Sequence, residues 1–532
     1  MVSLEFAPLP DEMPSAYAER LGRLYADRER AERKKEKGQF FTPVAIAELM
    51  ALMVSRRGEL LSILDPGCGT GVLSASLMEA LVSAPLSLKT IELVAYETDA
   101  SVLAFAEASF GYLEDWLQEK GISFTYQLID KDFILANAAV LQSSRSPGLF
   151  SEMTYQGPLF DVVITNPPYF KLSKDDSRVL SAQCLVSGHP NIYALFLGIA
   201  ARLLKENGEL ISITPRSFAS GQYFRAFREV FFETTQLKAI HLFKSRKETF
   251  NKDSVLQETI VMKVARQRLD STEKIQLSSS QGLRDLHHPM RKYLQISELI
   301  DLRSSEKILH LPVSEEEERI LGQVGAWKHT LRDFHIQVST GPVVAFRAES
   351  FIHQTYTNGI VQLVPLIWMH HVAKMKLEWP KVFKAKGQYI RVEPESKSLL
   401  LPNKDYILLR RFSTKDDKSR LIAAPYFSRE INAECIGVEN KVNYLYRKGG
   451  KLEQEELIGL CGLLNSRLYN AYFQMFNGNV NVSATELREM KFPPLEEIKA
   501  FGQYLISTQD FSMETIDEKI REMFETIEAV NG

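Results

Sequence analysis

The residues with the clearest chemical capacity are Asn166-Pro167-Pro168-Tyr169, which follow the apolar run FDVVIT. Two consecutive prolines remove two N–H donors and fix φ, so the loop is rigid and its carbonyls face outward. The Asn166 amide oxygen and the Pro167 carbonyl then form a fixed pair of acceptors, with the flat face of Tyr169 beside them. Such a group suits a planar amine, whose two N–H hydrogens are held while its ring is stacked. Alone, the tetrapeptide would read as a proline-terminated strand with a core tyrosine.

A second group lies upstream. Asp65-Pro66-Gly67-Cys68-Gly69-Thr70-Gly71 joins an apolar strand to a helix, where glycines let the backbone approach a ligand at the helix N-terminus. Its spacing is GxGxG rather than the GxGxxG of dinucleotide folds. The next strand ends at Glu97-Thr98-Asp99, which puts a carboxylate where ribose hydroxyls are held in nucleotide-binding sheets. Between the two acids, Asp99 has the position of a helix N-cap and Glu97 that of the ligand contact.

These motifs must be positioned by alternating strands and helices. Strand patterns at 61–69, 91–99, 124–130, 160–166, 209–215, 237–243 and 258–266 alternate with helical ones from Val72, through Gln118, and over 191–206. This order implies βαβ units, a mainly parallel sheet and a last pair forming an antiparallel edge. Asn207-Gly208 reads as a helix stop. Thr42 is placed to cap, and Pro43 to begin, a helix with apolar Val44, Ala47, Leu49, Met50, Met53 and Val54. Residues 270–330 read as a polar connector ending in a helix that starts at Ser314-Glu315, 331–495 as short strands and loops, and the tail as acidic helix.

The 532 residues carry 64 Lys+Arg against 67 Asp+Glu and only four cysteines. The composition is globular, for two to four domains, and excludes disordered, collagen-like and coiled-coil classes. No CxxC or spaced histidine cluster occurs, so neither a metal site nor a disulfide framework is expected, and the thiols point to the cytoplasm. The pairs His287-His288 and His370-His371 read as surface residues or nucleic-acid contacts rather than metal ligands. The N-terminus lacks a signal-peptide pattern, and the longest apolar run, near 192–204, is broken by Arg202, so no membrane association is expected.

With Gly38-Gln39-Phe40-Phe41-Thr42-Pro43 ahead of DPGCGTG and NPPY, in that order, the chain resembles the gamma-class N6-adenine DNA methyltransferases of restriction–modification systems, of the TaqI and BsuBI/PstI types. The resemblance covers about residues 36–265 and continues more loosely in STGPVVAFR (339–347) and LCGLLNSRLYNAYF (460–473). It implies a Rossmann-like, seven-stranded S-adenosylmethionine-dependent domain over 38–300. An N-terminal helical extension (1–37) would precede it, and a mixed α/β target-recognition domain (301–532) would follow. It also implies cofactor contacts from Phe41, Thr42, Pro43, Asp65, Gly67, Gly69, Glu97, Asp132 and Phe133. Asn166, Pro167, Pro168 and Tyr169 would be catalytic, with Tyr169 and Phe250 stacking on the target base. The implied partners are double-stranded DNA and a separately acting endonuclease, and the protein is read as a monomer. The sequence assigns no role to 171–190.

The near-zero total charge conceals an uneven distribution. His370–Arg420 holds thirteen Lys/Arg and six Asp/Glu, a net of +7, which leaves −10 on the other 481 residues. Aromatics interleave with these cations, as suits nucleic-acid contact. Lys381, Lys384, Lys386, Arg410, Arg411 and Lys415 are the candidate DNA contacts. Competing readings are an RNA or protein-glutamine methyltransferase, which also needs a planar-amine pocket, and an inactive DNA-binding specificity or defence protein.

Overall fold

The computed structural model describes the chain apart from residues 1–5, 29–40, 84–87, 142–156, 244–258, 269, 284, 287–288, 301–303, 313, 357–361, 382–385, 413–418, 477–480 and 529–532. Phe250, Lys384, Lys415, Gly38–Phe40 and the His287-His288 pair lie outside the described residues. The chain divides into two compact units, Met1–Leu309 and His310–Gly532.

The first unit is built on a nine-stranded sheet. Its strands are β1 (Leu60–Asp65), β2 (Thr90–Tyr96), β3 (Ser123–Ile129), β4 (Phe160–Thr165), β5 (Leu204–Pro215), β6 (Gln236–Phe243), β7 (Thr259–Ala265), β8 (Lys274–Ser280) and β9 (Met290–Gln295). They lie in the order β3-β2-β1-β4-β5-β7-β6-β8-β9. β1 to β5 run parallel, and β7 is antiparallel to both β5 and β6. The inner strands are buried along their length: every residue of β4 and all but Leu60 of β1. Coverage on both faces explains why they read as unbroken apolar runs. The helices are α1 (Pro14–Arg28), α2 (Val44–Leu52), α3 (Val72–Ser83), α4 (Ala100–Glu119), α5 (Phe133–Asn137), α6 (Ser177–Ser181), α7 (Ile192–Arg202) and α8 (Arg225–Thr234).

Two expectations are corrected here. The seven strands are followed by β8 and β9, where the sequence suggested a connector. β8 is rich in serine, yet Ser278, Ser279 and Ser280 are buried, and Ser278 and Ser280 flank the two ring nitrogens of buried His241 at 2.9 and 3.0 Å. Burial holds that imidazole down at about 4. Nor does Asn207-Gly208 end a helix. α7 stops at Arg202, and the dipeptide bulges out of β5, which pairs Leu204 with Phe160 and next Glu209 with Val162. Asn207 takes a φ of +60°, and a Cβ on Gly208 would lie 2.8 Å from the Phe160 carbonyl oxygen. The bulge therefore calls for these two residue types.

The second unit contains an antiparallel sheet ordered Ile336–Thr340, Val442–Arg447, Tyr406–Arg410, Ala423–Tyr426, and a five-stranded mixed sheet. Helix Gln454–Asn465 packs against Leu495–Thr508 at glycine contacts. A Cβ on Gly459 would sit 2.1 Å from the Ile498 carbonyl oxygen. The asparagines of LLNSRLYN are structural: Asn465 exchanges hydrogen bonds with both backbone groups of Ala423, and the Asn470 Oδ1 accepts from the N–H groups of Arg420 and Leu421.

Candidate active site

Because β1 to β4 are parallel, their C-terminal ends share one edge of the sheet, and the loops leaving them meet there. They enclose a cavity of about 400 Å³, within the roughly 300–1,000 Å³ of small-molecule sites. Its walls include Phe41, Gly67, Gly69, Glu97, Asp132, Phe133, Asn166, Pro167 and Pro168.

The β1–α3 loop is held in place from several sides. The Cys68 N–H donates to the Tyr96 carbonyl (3.0 Å), and the Thr70 hydroxyl donates to the Ala18 carbonyl of α1 (2.8 Å). Gly69 and Gly71 take φ of +53° and +88°. A Cβ on Gly69 would lie 3.2 Å from the Phe41 ring, so the glycine lets that ring close over the loop. Phe41 in turn packs edge-on against Tyr25 of α1, whose hydroxyl donates to Asp99 (3.0 Å). Asp65 does not line the cavity. It is fully buried beneath the loop and accepts from the Ser74 hydroxyl (2.7 Å), and burial pushes its carboxyl up to about 7.

The two acids after β2 divide their tasks. Asp99 caps α4 by accepting from the Ser101 N–H. Glu97 is 8% exposed and uses Oε1 to accept from the N–H groups of Thr98 and Asp99, both at 2.8 Å, with burial raising its carboxyl. These bonds fix the carboxylate at the cavity wall. Phe133 is buried against Tyr96 and Phe196 (5.3 and 5.1 Å), while Asp132 caps α5 through the Leu135 N–H (3.0 Å).

At the end of β4, Asn166 Nδ2 donates to Thr42 Oγ1 (2.9 Å). Thr42 thus does not cap α2, as its position suggested; Pro43 occupies the N-cap and forms no side-chain cap bond. The Thr42 hydroxyl fixes the Asn166 amide with its oxygen turned the other way. The Tyr169 hydroxyl has Asn166 Oδ1 and the Ile213 carbonyl (2.8 Å) as acceptors, and its ring lies edge-on to Tyr193. Tyr169 stands off the cavity wall, whereas its neighbour Phe170 is on it. Burial drives the Tyr169 phenol well above its usual range, so it stays a neutral hydrogen-bond donor.

Sequence reasoning missed Tyr96, Lys131, Phe170, Arg178, Ile192 and Phe196 on the cavity wall. None belongs to a motif, and only the loop geometry brings them in. The signal for Phe196 was α7 itself, whose apolar residues surround the position.

The candidate cations of the second unit have internal partners wherever they are described. Lys381 pairs with Glu378. Lys386 lies 4.4 Å over the Trp368 ring and 3.7 Å from Glu439. Arg410 donates to the Val372 carbonyl (2.6 Å) and Arg411 to that of Asn440 (3.2 Å). His371 is buried rather than at the surface. It accepts from the Trp368 N–H (3.1 Å), and burial pushes its ring down to about 4. Among the described residues no cluster of His, Cys, Asp and Glu could hold a metal ion, and no helix is long and apolar enough to cross a membrane.

The chain's relatives bear on what this geometry does. The family described as Eco57I restriction-modification methylase matches residues 103–250. The type II methyltransferase M.BsuBI of Bacillus subtilis is 30% identical over 92% of this chain and 94% of its own length. The type II methyltransferase M.PstI of Providencia stuartii is 31% identical over 91% and 92%. Among solved structures, the type IIG restriction endonuclease BpuSI aligns over 92% of this chain and 63% of its own with a TM-score of 0.45 and 16% identity. With relatives matched at this identity over nearly their whole length, the chain belongs to the type II DNA methyltransferases of restriction–modification systems.

Proposed function

We propose that this methyltransferase uses S-adenosylmethionine to methylate N6 of an adenine flipped out of double-stranded DNA, at a specific site, as the cytoplasmic modification enzyme of a restriction–modification system. The observation that carries the reading is the Asn166 amide, held by Thr42 at the wall of a cavity that also presents Gly67, Gly69 and Glu97.

The residues present fit the cofactor. Glu97 offers a carboxylate oxygen to ribose hydroxyls, and Asp132 offers one to an exocyclic amine. Phe133 supplies an aromatic face, and Gly67 and positive-φ Gly69 on the cavity wall allow close approach of the backbone. S-adenosylmethionine, when bound, supplies a methyl group made electrophilic by its sulfonium.

The protein's own contribution is positioning. Extruding a base costs a few kcal/mol. Tyr169 and Phe250 would offset part of this by stacking, at about 1–3 kcal/mol per base. A residue that stacks on the target belongs across the Asn166 amide from the cofactor, which agrees with Tyr169 standing off the cavity wall. Asn166 Oδ1 and the Pro167 carbonyl accept the two N6 hydrogens and favour a more pyramidal nitrogen. Its lone pair is then aimed at the methyl group, so that orientation and fixed dipoles lower the barrier. The Tyr169 hydroxyl, given up by Asn166, keeps the Ile213 carbonyl as acceptor.

Residues 310–532 would read the DNA, with the basic 370–420 stretch contacting phosphates and affinity falling steeply with salt. Long-read sequencing of DNA from cells expressing the protein tests the reading. Methylated adenine in one sequence context is expected, and its loss in Asn166→Ala. Methylcytosine alone, or modification that survives Asn166→Ala, would overturn it.

A further inference from the structure

Residues 171–190 bring Arg178 to the cavity at the end marked by Asp132 and Phe133. The guanidinium is held from three sides. Asp176, the N-cap of α6, accepts from Nε (2.8 Å) and from the Nη2 group (2.6 Å). The Phe170 ring, next to Tyr169, lies beneath it with its centroid 5.6 Å away. Asp132 faces it across 3.7 Å through Oδ2. Asp132 Oδ1 is already committed to the Leu135 N–H, so Arg178 meets the other oxygen of a carboxylate that lines the cavity.

We propose that Arg178 is a positioning residue for the cofactor's adenine: it orients the Asp132 carboxylate toward the exocyclic amine and fastens the loop after Tyr169 to the rim of that pocket. The proposal rests on reading Asp132 as the acceptor of that amine. The chemistry favours orientation over direct binding. An adenine ring is neutral and needs no guanidinium, while a carboxylate with one oxygen anchored and the other beside a cation has its rotation restricted. The bidentate Asp176 contact fixes the fork of Arg178 in a way a lysine would not reproduce. Arg178 and Asp132 are 24% and 27% exposed, so water screens the pair and the effect is moderate.

The test is calorimetric titration of the full-length protein with S-adenosylhomocysteine and with its deaminated counterpart, which carries hypoxanthine in place of adenine. Arg178→Ala is expected to weaken S-adenosylhomocysteine binding about tenfold and to narrow the preference for the amine-bearing ligand, with Arg178→Lys recovering part of both. In an Asp132→Asn background, Arg178→Ala should have little further effect. Arg178→Ala should raise KM for the cofactor by a larger factor than it lowers turnover at saturating cofactor. Unchanged affinity and preference in a folded Arg178→Ala protein would overturn the proposal, as would equal losses with and without Asp132. Failure of the unmutated protein to bind S-adenosylhomocysteine would instead remove the cofactor reading beneath it.

Discussion

The side chain of Asn166 and that of Thr42 meet through one 2.9 Å hydrogen bond that joins loops 124 residues apart. One loop precedes α2 and carries Phe41 on the cavity wall; the other leaves β4 and carries the two prolines. The bond couples the proposed cofactor side of the site to the amide expected to do chemistry, because a donating Nδ2 leaves Oδ1 only one orientation.

Thr42→Val should therefore lower kcat by up to about a hundredfold, less than or equal to the roughly 10²–10³ lost when a transition-state hydrogen-bonding group is removed outright. Thr42→Ser, which keeps the acceptor, should recover most of the activity. Single-turnover methylation of an oligonucleotide duplex checks this, and equal activity in all three proteins would refute the coupling.

Asp65 gives a pH dependence. Its folded carboxyl, at about 7, is raised above an unfolded value near 3.8. The folded state holds the proton more tightly, so this stability is present in full below about pH 4 and is lost as pH rises through 7. From pH 5 to 7 the loss is about 2 kcal/mol by linkage. Asp65→Asn should remove that slope in urea unfolding without ligand, and an identical slope in both proteins would refute it.

Gly71→Ala should destabilise the first unit. With φ at +88°, an added Cβ would lie 2.8 Å from the Phe110 ring, and strained backbone alone costs about 1–3 kcal/mol. Gly111, with nothing within 4 Å of its would-be Cβ, is the control: Gly111→Ala lies in α4 and should be neutral or stabilising. Thermal unfolding of the two variants reads the difference.

Arg228 is fully buried. It donates to the carbonyls of Phe218, Gly221 and Glu306 at 2.7 to 2.9 Å and lies 3.7 Å from the Glu306 carboxylate. Arg228→Leu strands those acceptors and should cost about 3–5 kcal/mol. The Glu306 carboxylate keeps Arg225 as a partner at 3.5 Å, so the loss comes from the stranded carbonyls; urea unfolding of Arg228→Leu measures it, and a cost below about 1 kcal/mol would refute it.

The motif loops were legible because glycines, prolines and terminal acids state their own backbone needs. Asp99 could be separated from Glu97 by capping position alone. Thr42 was placed in the right loop but given the wrong bond, since its partner is far along the chain. β8 escaped notice because buried serines look like a solvated loop until His241 is known to lie opposite. Arg178 had no motif to announce it; its meaning comes from Asp132 and Phe170, which only the fold places beside it.

The strand order also sets a schedule. β1, which carries the glycine loop, is flanked by β2 and β4, and Ile63 pairs with Val162, 99 residues later. At about 5–20 residues per second of synthesis, the first strand waits roughly 5–20 s for this neighbour. During that time one edge of β1 is unpaired while its apolar faces are already made. The cavity at the end of β1 thus cannot close on a nascent chain before the Asn166 loop, and Phe196 thirty residues beyond it, have emerged.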